Sequence, residues 1–398
     1  MGLDVPAIRK QFPALAEGAA HFDGPGGTQV PQVVADAVAD ALTSAISNRG
    51  EVTASERRAD DIVRAARAAM GDLLGVDPRG VVFGRSMTQL TYDFSRTLAK
   101  TWTPGDEIVV TTLDHDANIR PWVQAATAVG ATVRWAEFDP GTAELSADAV
   151  AAVVSERTRL VAVSAASNLI GTKPPVREIA DVAHAAGALL YVDGVHYTAH
   201  CFVDVPELGA DFFACSPYKF CGPHLGVLAA RPELLETLTP DKLLPSTDEV
   251  PDRFEFGTLP YELLAGTTAA VDFLAGLTPG EGTRRDRLHA SMTAVEAHED
   301  SLRRRMEDRL AQLDGVVVYS RAAHRTPTLL LTVDGHSPDA VYVHLATLGV
   351  NAPASSFYAI EPSRALGLGA AGGVRLGLAP YTDDSDVDRV LAGIEELT

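Results

Sequence analysis

From about Gly80 to Ala230 the chain alternates short apolar runs with stretches whose apolar residues recur at helical spacing. The runs are Val81–Phe83, Glu107–Thr111, Thr132–Trp135, Leu160–Ser164, Leu189–Val192, Phe212–Ala214 and Gly226–Ala229. Runs this short and this uniformly apolar read as strands buried on both faces. The stretches between them read as helices, for example Val176–Ala186, closed by Gly187. Such alternation implies an α/β fold whose seven-stranded, mostly parallel sheet is covered on both faces by helices. A long charged helical pattern then runs from Arg284 to Leu313. It is followed by strand-like Thr328–Val333, a helix over Pro338–Leu348 and strand-like Val374–Leu378. We expect a large domain over residues 18–270 and a small C-terminal α/β domain over 271–398, with 1–17 packed against the latter.

In sheets of this kind ligands gather at the carboxyl ends of the strands. Leu189–Val192 runs into Asp193-Gly194-Val195-His196, and Phe212–Ala214 into Cys215-Ser216-Pro217-Tyr218-Lys219-Phe220-Cys221-Gly222-Pro223. A carboxylate at one strand end and a lysine just past another is what a pyridoxal-phosphate site requires. The amine forms a Schiff base with the cofactor aldehyde, and the acid keeps the pyridine nitrogen protonated, which makes the ring an electron sink. A lysine after a strand is ordinarily a solvated surface residue, and an aspartate before glycine ordinarily a turn residue. Ser216, the Gly222-Pro223 turn and the paired acid set Lys219 and Asp193 apart, and predict an enzyme of amino-acid chemistry.

Composition narrows the partners. A formal net charge of -20 repels nucleic-acid backbones and anionic membrane surfaces alike. Three cysteines, Cys201, Cys215 and Cys221, are too few for a disulfide framework, and no pair has metal-ligand spacing, so no metal site is expected. The N-terminus lacks a basic stretch followed by an apolar run, and apolar segments are interrupted before membrane-spanning length. A cytoplasmic setting follows as the expectation.

Read together, several segments resemble the class V aminotransferase family of fold-type I pyridoxal-phosphate enzymes, and within it the cysteine desulfurase and selenocysteine lyase branch. In chain order they include Phe22-Asp23-Gly24-Pro25-Gly26-Gly27, Gly84-Arg85-Ser86-Met87-Thr88-Gln89, Asp114-His115-Asp116-Ala117-Asn118, Ser167-Asn168-Leu169-Ile170-Gly171-Thr172, Ser216-Pro217-Tyr218-Lys219, Arg253-Phe254-Glu255-Phe256-Gly257-Thr258 and Val374-Arg375-Leu376. The similarity runs from about Phe22 to Tyr381. It implies that Lys219 carries the cofactor and moves protons once freed, that Asp193 pairs with the ring nitrogen, and that His115 stacks on the ring and takes part in proton transfer. It puts Met87, Thr88 and Ser216 on the phosphate and His196 where many relatives have a glutamine that bonds the ring oxygen. Arg375 is expected to bind the substrate carboxylate as a fork, with Asn168 on that carboxylate or the ring oxygen. Gly257 and Thr258 resemble a loop that reaches the neighbouring subunit's phosphate, which implies a homodimer with active sites at the subunit interface.

The resemblance breaks most sharply on one small-domain loop. Desulfurases that form a protein persulfide use a cysteine on a small-domain loop, whereas here the corresponding stretch is Ala354-Ser355-Ser356-Phe357-Tyr358-Ala359-Ile360-Glu361-Pro362. Tyr358 falls at or next to the nucleophile position, and Phe357 and Tyr358 would suit a larger sulfur substituent. The lysine loop also has Tyr218 where the family usually has histidine. The expected activity is therefore β-elimination of the C–S bond of cysteine or an S-substituted cysteine without a protein persulfide. Decarboxylative or oxidative deamination of a thioether amino acid, transamination and epimerisation in specialised metabolism stay open. So does a non-catalytic cofactor-binding scaffold or sulfur-transfer partner.

Overall fold

The computed structural model describes residues 2–398. Seven strands form the main sheet: β1 (Val81–Gly84), β2 (Glu107–Thr111), β3 (Thr132–Ala136), β4 (Thr158–Ser164), β5 (Leu189–Asp193), β6 (Phe212–Cys215) and β7 (Gly226–Ala230). Their order is β1-β7-β6-β5-β4-β2-β3, and only β7 runs antiparallel to its neighbours. Alternation of strand and helix fails just once, between β6 and β7, where the lysine segment fills the connection and the chain doubles straight back. That reversal frees the loop from covering a sheet face and leaves it at the carboxyl edge.

Side chains of β1, β2, β4, β5, β6 and β7 are buried almost without interruption. Two apolar layers account for this. One holds Val109, Val161, Val163, Leu190, Val192 and Phe213 beneath helices Ala54–Leu74 and Tyr261–Ala275. The other holds Ile108, Val110, Leu160, Tyr191, Phe212 and Trp122 beneath α1 (Met87–Ala99). Opposite faces of the same strands feed opposite layers, the period-2 consequence of the pleat.

A smaller antiparallel sheet is built from β8 (Val316–Val318), β9 (Thr328–Val333), β10 (Ala354–Ser355) and β11 (Gly373–Gly377), in the order β10-β11-β9-β8. Its core, with Leu329, Leu331, Val374 and Leu376, packs on α2 (Arg284–Leu310) and on the helices Pro338–Thr347 and Asp384–Glu395. The charged helix ends three residues before the sequence pattern does, because the N–H groups of Gln312 and Leu313 turn back to Arg309 and Leu310 in tighter bonds. At the N-terminus, Arg9 binds Asp386 at 2.6 Å and Asp383 at 3.1 Å, while Phe12 wedges edge-on between Phe273 and Tyr381. No helix among the described residues is long and apolar enough to cross a membrane.

Candidate active site

β5 and β6 are parallel neighbours, and Asp193 is paired with Ala214 in their register. Both chains therefore leave the sheet at the same edge. Past Asp193 the backbone crosses directly over Phe213, so closely that a Cβ at Gly194 would lie 1.9 Å from the phenyl ring. Past Cys215 it makes a tight turn over Pro217–Lys219, held by Lys219 N–H on the Ser216 carbonyl at 3.0 Å and Gly222 N–H on the Pro217 carbonyl at 2.9 Å. The Lys219 amine turns back to donate to the Pro25 carbonyl.

Burial, with Arg375 adding to it, lowers the pKa of Lys219 to about 7, although Asp193 pulls the other way. Burial raises Asp193 to about 7 against the Val195 N–H at 2.9 Å, and Asp114 nearby pushes it in the same direction as burial. An amine that loses its proton near neutrality can act as nucleophile and base; an acid buried beside it can hold a cationic ring nitrogen.

These two groups face one inner cavity of about 80 Å³. Met87 and Thr88 border it at the start of α1, with Ser216 nearby. The Ser86 hydroxyl caps the helix by accepting the Gln89 N–H at 3.1 Å, which leaves the Met87 and Thr88 N–H groups without an intrahelical acceptor. A Cβ at Gly226 would lie 2.2 Å from the Ser86 carbonyl carbon, so only glycine in β7 lets this helix start so close to the sheet. A helix start with free N–H groups and a hydroxyl beside it is an anion site.

His115, Asn168 and His196 complete the cavity wall. His115 accepts the Ala117 N–H at Nδ1, 3.0 Å away, and burial together with Lys219 and Arg375 lowers its pKa to about 4. It is thus a neutral ring, 5.7 Å from the Tyr358 ring and nearly parallel to it. His196 directs Nε2 at the hydroxyls of Thr326 and Thr328, each 3.0 Å away.

An outer cleft of about 620 Å³ shares Pro25, His115, Tyr218 and Lys219 with this cavity and is closed by Phe357, Tyr358 and Arg375. Arg375, on β11, is buried to 2% exposure, and burial lowers its pKa to about 9. Its Nη1 donates to the Asn168 carbonyl at 3.0 Å, while the Asn168 amide donates to the Phe357 carbonyl at 3.0 Å. Among the described residues the Asn168 Oδ1 and Arg375 Nε atoms are buried with no hydrogen-bond partner. Native interiors seldom leave buried polar atoms unpaired.

The aminotransferase class V family model matches residues 20–390 of the chain. The chain belongs to the class V aminotransferase family. It is 32% identical to an uncharacterized protein of Mycobacterium tuberculosis, over 100% of each chain. It is also 32% identical to a probable cysteine desulfurase of Pseudomonas aeruginosa, covering 97% of this chain and 96% of that one. Its structure superposes on a crystal structure of a cysteine desulfurase from Escherichia coli with a TM-score of 0.86 at 27% identity, over 99% of this chain and 98% of the other. This class V aminotransferase is accordingly a pyridoxal-phosphate-dependent enzyme of fold type I, similar to the cysteine desulfurases. The residues present fit the cofactor: the amine of Lys219, the acid of Asp193, Asn168 and the open helix start at Met87 border the inner cavity, and Arg375 borders the outer cleft that shares Lys219 with it.

Two positions in this class V aminotransferase stand apart from that space. Gly257 and Thr258 are exposed and border a separate groove with Phe83, Arg85 and Phe256. They do not reach the cavity of their own chain. Conversely, three residues near the cavity carried no assignment from sequence. Asp114, fully buried, accepts Asn118 Nδ2 and Ser164 Oγ at 2.7 Å each, plus the Thr111 hydroxyl. Thr326 and Thr328 come from the smaller sheet's side. Asp114 precedes His115 in a segment already singled out, but nothing in the sequence distinguishes a buried carboxylate from a solvated one. The threonines lie 130 and 132 residues from His196, and no local pattern points to them.

Proposed function

We propose that the enzyme is a lyase that cleaves the Cβ–S bond of cysteine or an S-substituted cysteine and releases the sulfur as a free thiol. The observation that carries this reading is the loop over the cleft. Among the described residues Phe357 and Tyr358 line it and no cysteine does, while Cys201, Cys215 and Cys221 are all buried. A thiolate is a competent leaving group and needs no protein nucleophile to depart.

In this reading Arg375, which lines the outer cleft, holds the substrate carboxylate, with Asn168 beside it. Asp193 holds the ring nitrogen, and Met87, Thr88 and Ser216 the phosphate. His196 faces the ring oxygen. His115 covers the ring face and stays neutral. The cofactor, when bound, withdraws electrons from the substrate's α carbon. Lys219, whose amine gives up its proton at about pH 7, takes the proton from that carbon and returns one where needed. The Cβ–S bond then breaks with its electron pair on sulfur, and addition of water gives thiol, pyruvate and ammonium. Tyr358, 77% exposed at the cleft mouth, meets the sulfur substituent. Gly257 and Thr258 would complete the phosphate site of a second copy, which makes the working unit a homodimer.

The test is to incubate the purified holoenzyme with cysteine and a series of S-alkyl cysteines, with and without a keto acid. Pyruvate and free thiol in equal amounts, independent of keto acid, are expected. Neither product with any candidate, despite bound cofactor, would refute the reading, as would turnover that requires the keto acid.

A further inference from the structure

His196 sits in a setting that determines where its proton resides. Nε2 lies 3.0 Å from the hydroxyls of both Thr326 and Thr328, and all three residues are buried. The Thr326 hydroxyl is also 3.3 Å from the Gly171 carbonyl, which can only accept. Among the described residues the Thr328 hydroxyl has one partner, His196.

Each hydroxyl has one proton to place. That of Thr326 can go to Nε2 or to Gly171, and neither choice offers the Thr328 proton another acceptor. That of Thr328 can go only to Nε2, and only if Nε2 presents its lone pair. A proton on Nε2 would leave the Thr328 proton buried with no acceptor, an arrangement native interiors avoid. A neutral imidazole with a lone pair at Nε2 carries its proton on Nδ1. Among the described residues Nδ1 has no hydrogen-bond partner, and His196 borders the inner cavity together with Asp193 and Lys219. The charged and titratable groups around the ring are His200, whose ring centroid is 4.7 Å away and which itself binds Glu299 at 2.9 Å, then Arg375 and Lys219. Burial together with these neighbours keeps the imidazole uncharged.

We infer that Thr328 is a positioning residue: its hydroxyl holds His196 in the Nδ1–H form, so that the ring presents a hydrogen-bond donor to the cofactor's ring oxygen. This rests on the reading that His196 faces the cofactor. Thr328 opens β9, two residues before Leu330, which pairs with Arg375. The donor seen by the cofactor is thereby set from the same sheet that carries the carboxylate-binding arginine.

The experiment is nitrogen NMR on histidine-labelled holoenzyme, with His196 assigned by its loss in H196Q, and the pH midpoint of the bound cofactor's visible absorption as a second readout. Wild type and T328S should show a protonated Nδ1 and an unprotonated Nε2. T328V should lose that preference and shift the absorption midpoint, while T328S leaves it unmoved. A protonated Nε2 in wild type overturns the proposal, and so does a T328V protein whose nitrogen signals and midpoint match wild type. The wild-type spectrum decides by itself if T328V fails to fold. Should H196Q leave the absorption and its midpoint unchanged, the contact between His196 and the cofactor is what fails, and the NMR still decides the tautomer.

Discussion

The Arg375 guanidinium carbon lies 3.7 Å from the centroid of the Phe357 ring. Phe357 is held there by an unusual backbone: it and Tyr358 have φ of 52° and 58°, a left-handed region that β-carbon-bearing residues rarely occupy. The Asn168 amide fixes the Phe357 carbonyl at 3.0 Å, so loop, arginine and asparagine form one unit. A lysine at position 375 would keep the charge but lose both the fork and the flat contact with the ring. R375K should raise the substrate KM by about 10- to 100-fold, the loss of one charge-assisted hydrogen bond, with the cofactor's absorption unchanged. F357A should raise KM by about 3- to 10-fold, in line with a cation–π contact. Steady-state kinetics with the best substrate checks both, and an R375K enzyme with wild-type KM would remove the arginine from carboxylate binding.

Lys219 reports the same arginine through its proton. Its pKa is lowered to about 7 by burial and, secondly, by Arg375. The rate at which cofactor-stripped protein captures pyridoxal phosphate should rise with pH through about 7 and level off above it. Removing the positive charge in R375M lifts one of the two causes, so the midpoint should move to higher pH. Borohydride reduction followed by intact mass gives the adduct at each pH. A midpoint in the ordinary lysine range for the wild type, or a downward shift in R375M, would contradict this account.

Asp114 works the other way. Burial raises its pKa to about 6 even though three donors bind it. Between its ordinary value and about 6 the folded state holds a proton that the unfolded state has released. Stability of the cofactor-free protein therefore falls as pH rises through this window. D114N removes the titrating group, so the stability of wild type relative to D114N should decline from about pH 4 to about pH 6. Urea denaturation of both proteins across that range measures the slope, and a rising difference would count against it.

Much of the fold was readable because parallel strands buried on both faces leave unbroken apolar runs, as Val81–Gly84 and Leu189–Asp193 do. The placement of Lys219 and Asp193 was readable for a related reason: a charged residue at the end of such a run has left the sheet at its carboxyl edge. What could not be read was any partnership made in three dimensions. Thr328 looks like an ordinary strand residue, and its bond to His196 spans 132 positions. Tyr218 stood out as a departure from the family, but the sequence does not reveal that its ring stacks on His224 at 4.8 Å. Asp114 is an acid in an acid-rich segment until burial makes it unusual.

The cysteines test the elimination reading from the protein's side. Burial raises the thiols of Cys201 and Cys221 to about 12 and that of Cys215 further still. Thiolate, the nucleophilic form, is then scarce at neutral pH. The native enzyme should resist thiol reagents, and C201A, C215A and C221A should each keep turnover within about threefold of wild type. Mass spectrometry after turnover of cysteine should find no sulfur adduct. A persulfide on any of the three would restore a protein nucleophile to the mechanism.

Glu255 is the remaining anchor. Its carboxylate takes both arms of Arg67 at 2.9 and 2.8 Å and the Phe83 N–H, near the carboxyl end of β1, at 2.8 Å. It stands two and three residues before Gly257 and Thr258, which are exposed and have no comparable tether. Removing one partner of a buried pair strands the other charge, a loss of about 3–5 kcal/mol. E255A should therefore unfold at markedly lower urea concentration. E255Q keeps the Phe83 contact and one arm of the fork, so its loss should be smaller. If the loop reaches a second copy's phosphate, E255Q should also shed cofactor faster on dilution while the fold survives. Equal cofactor retention in E255Q and wild type, with a measurable loss of stability, would show that the tether serves the fold alone.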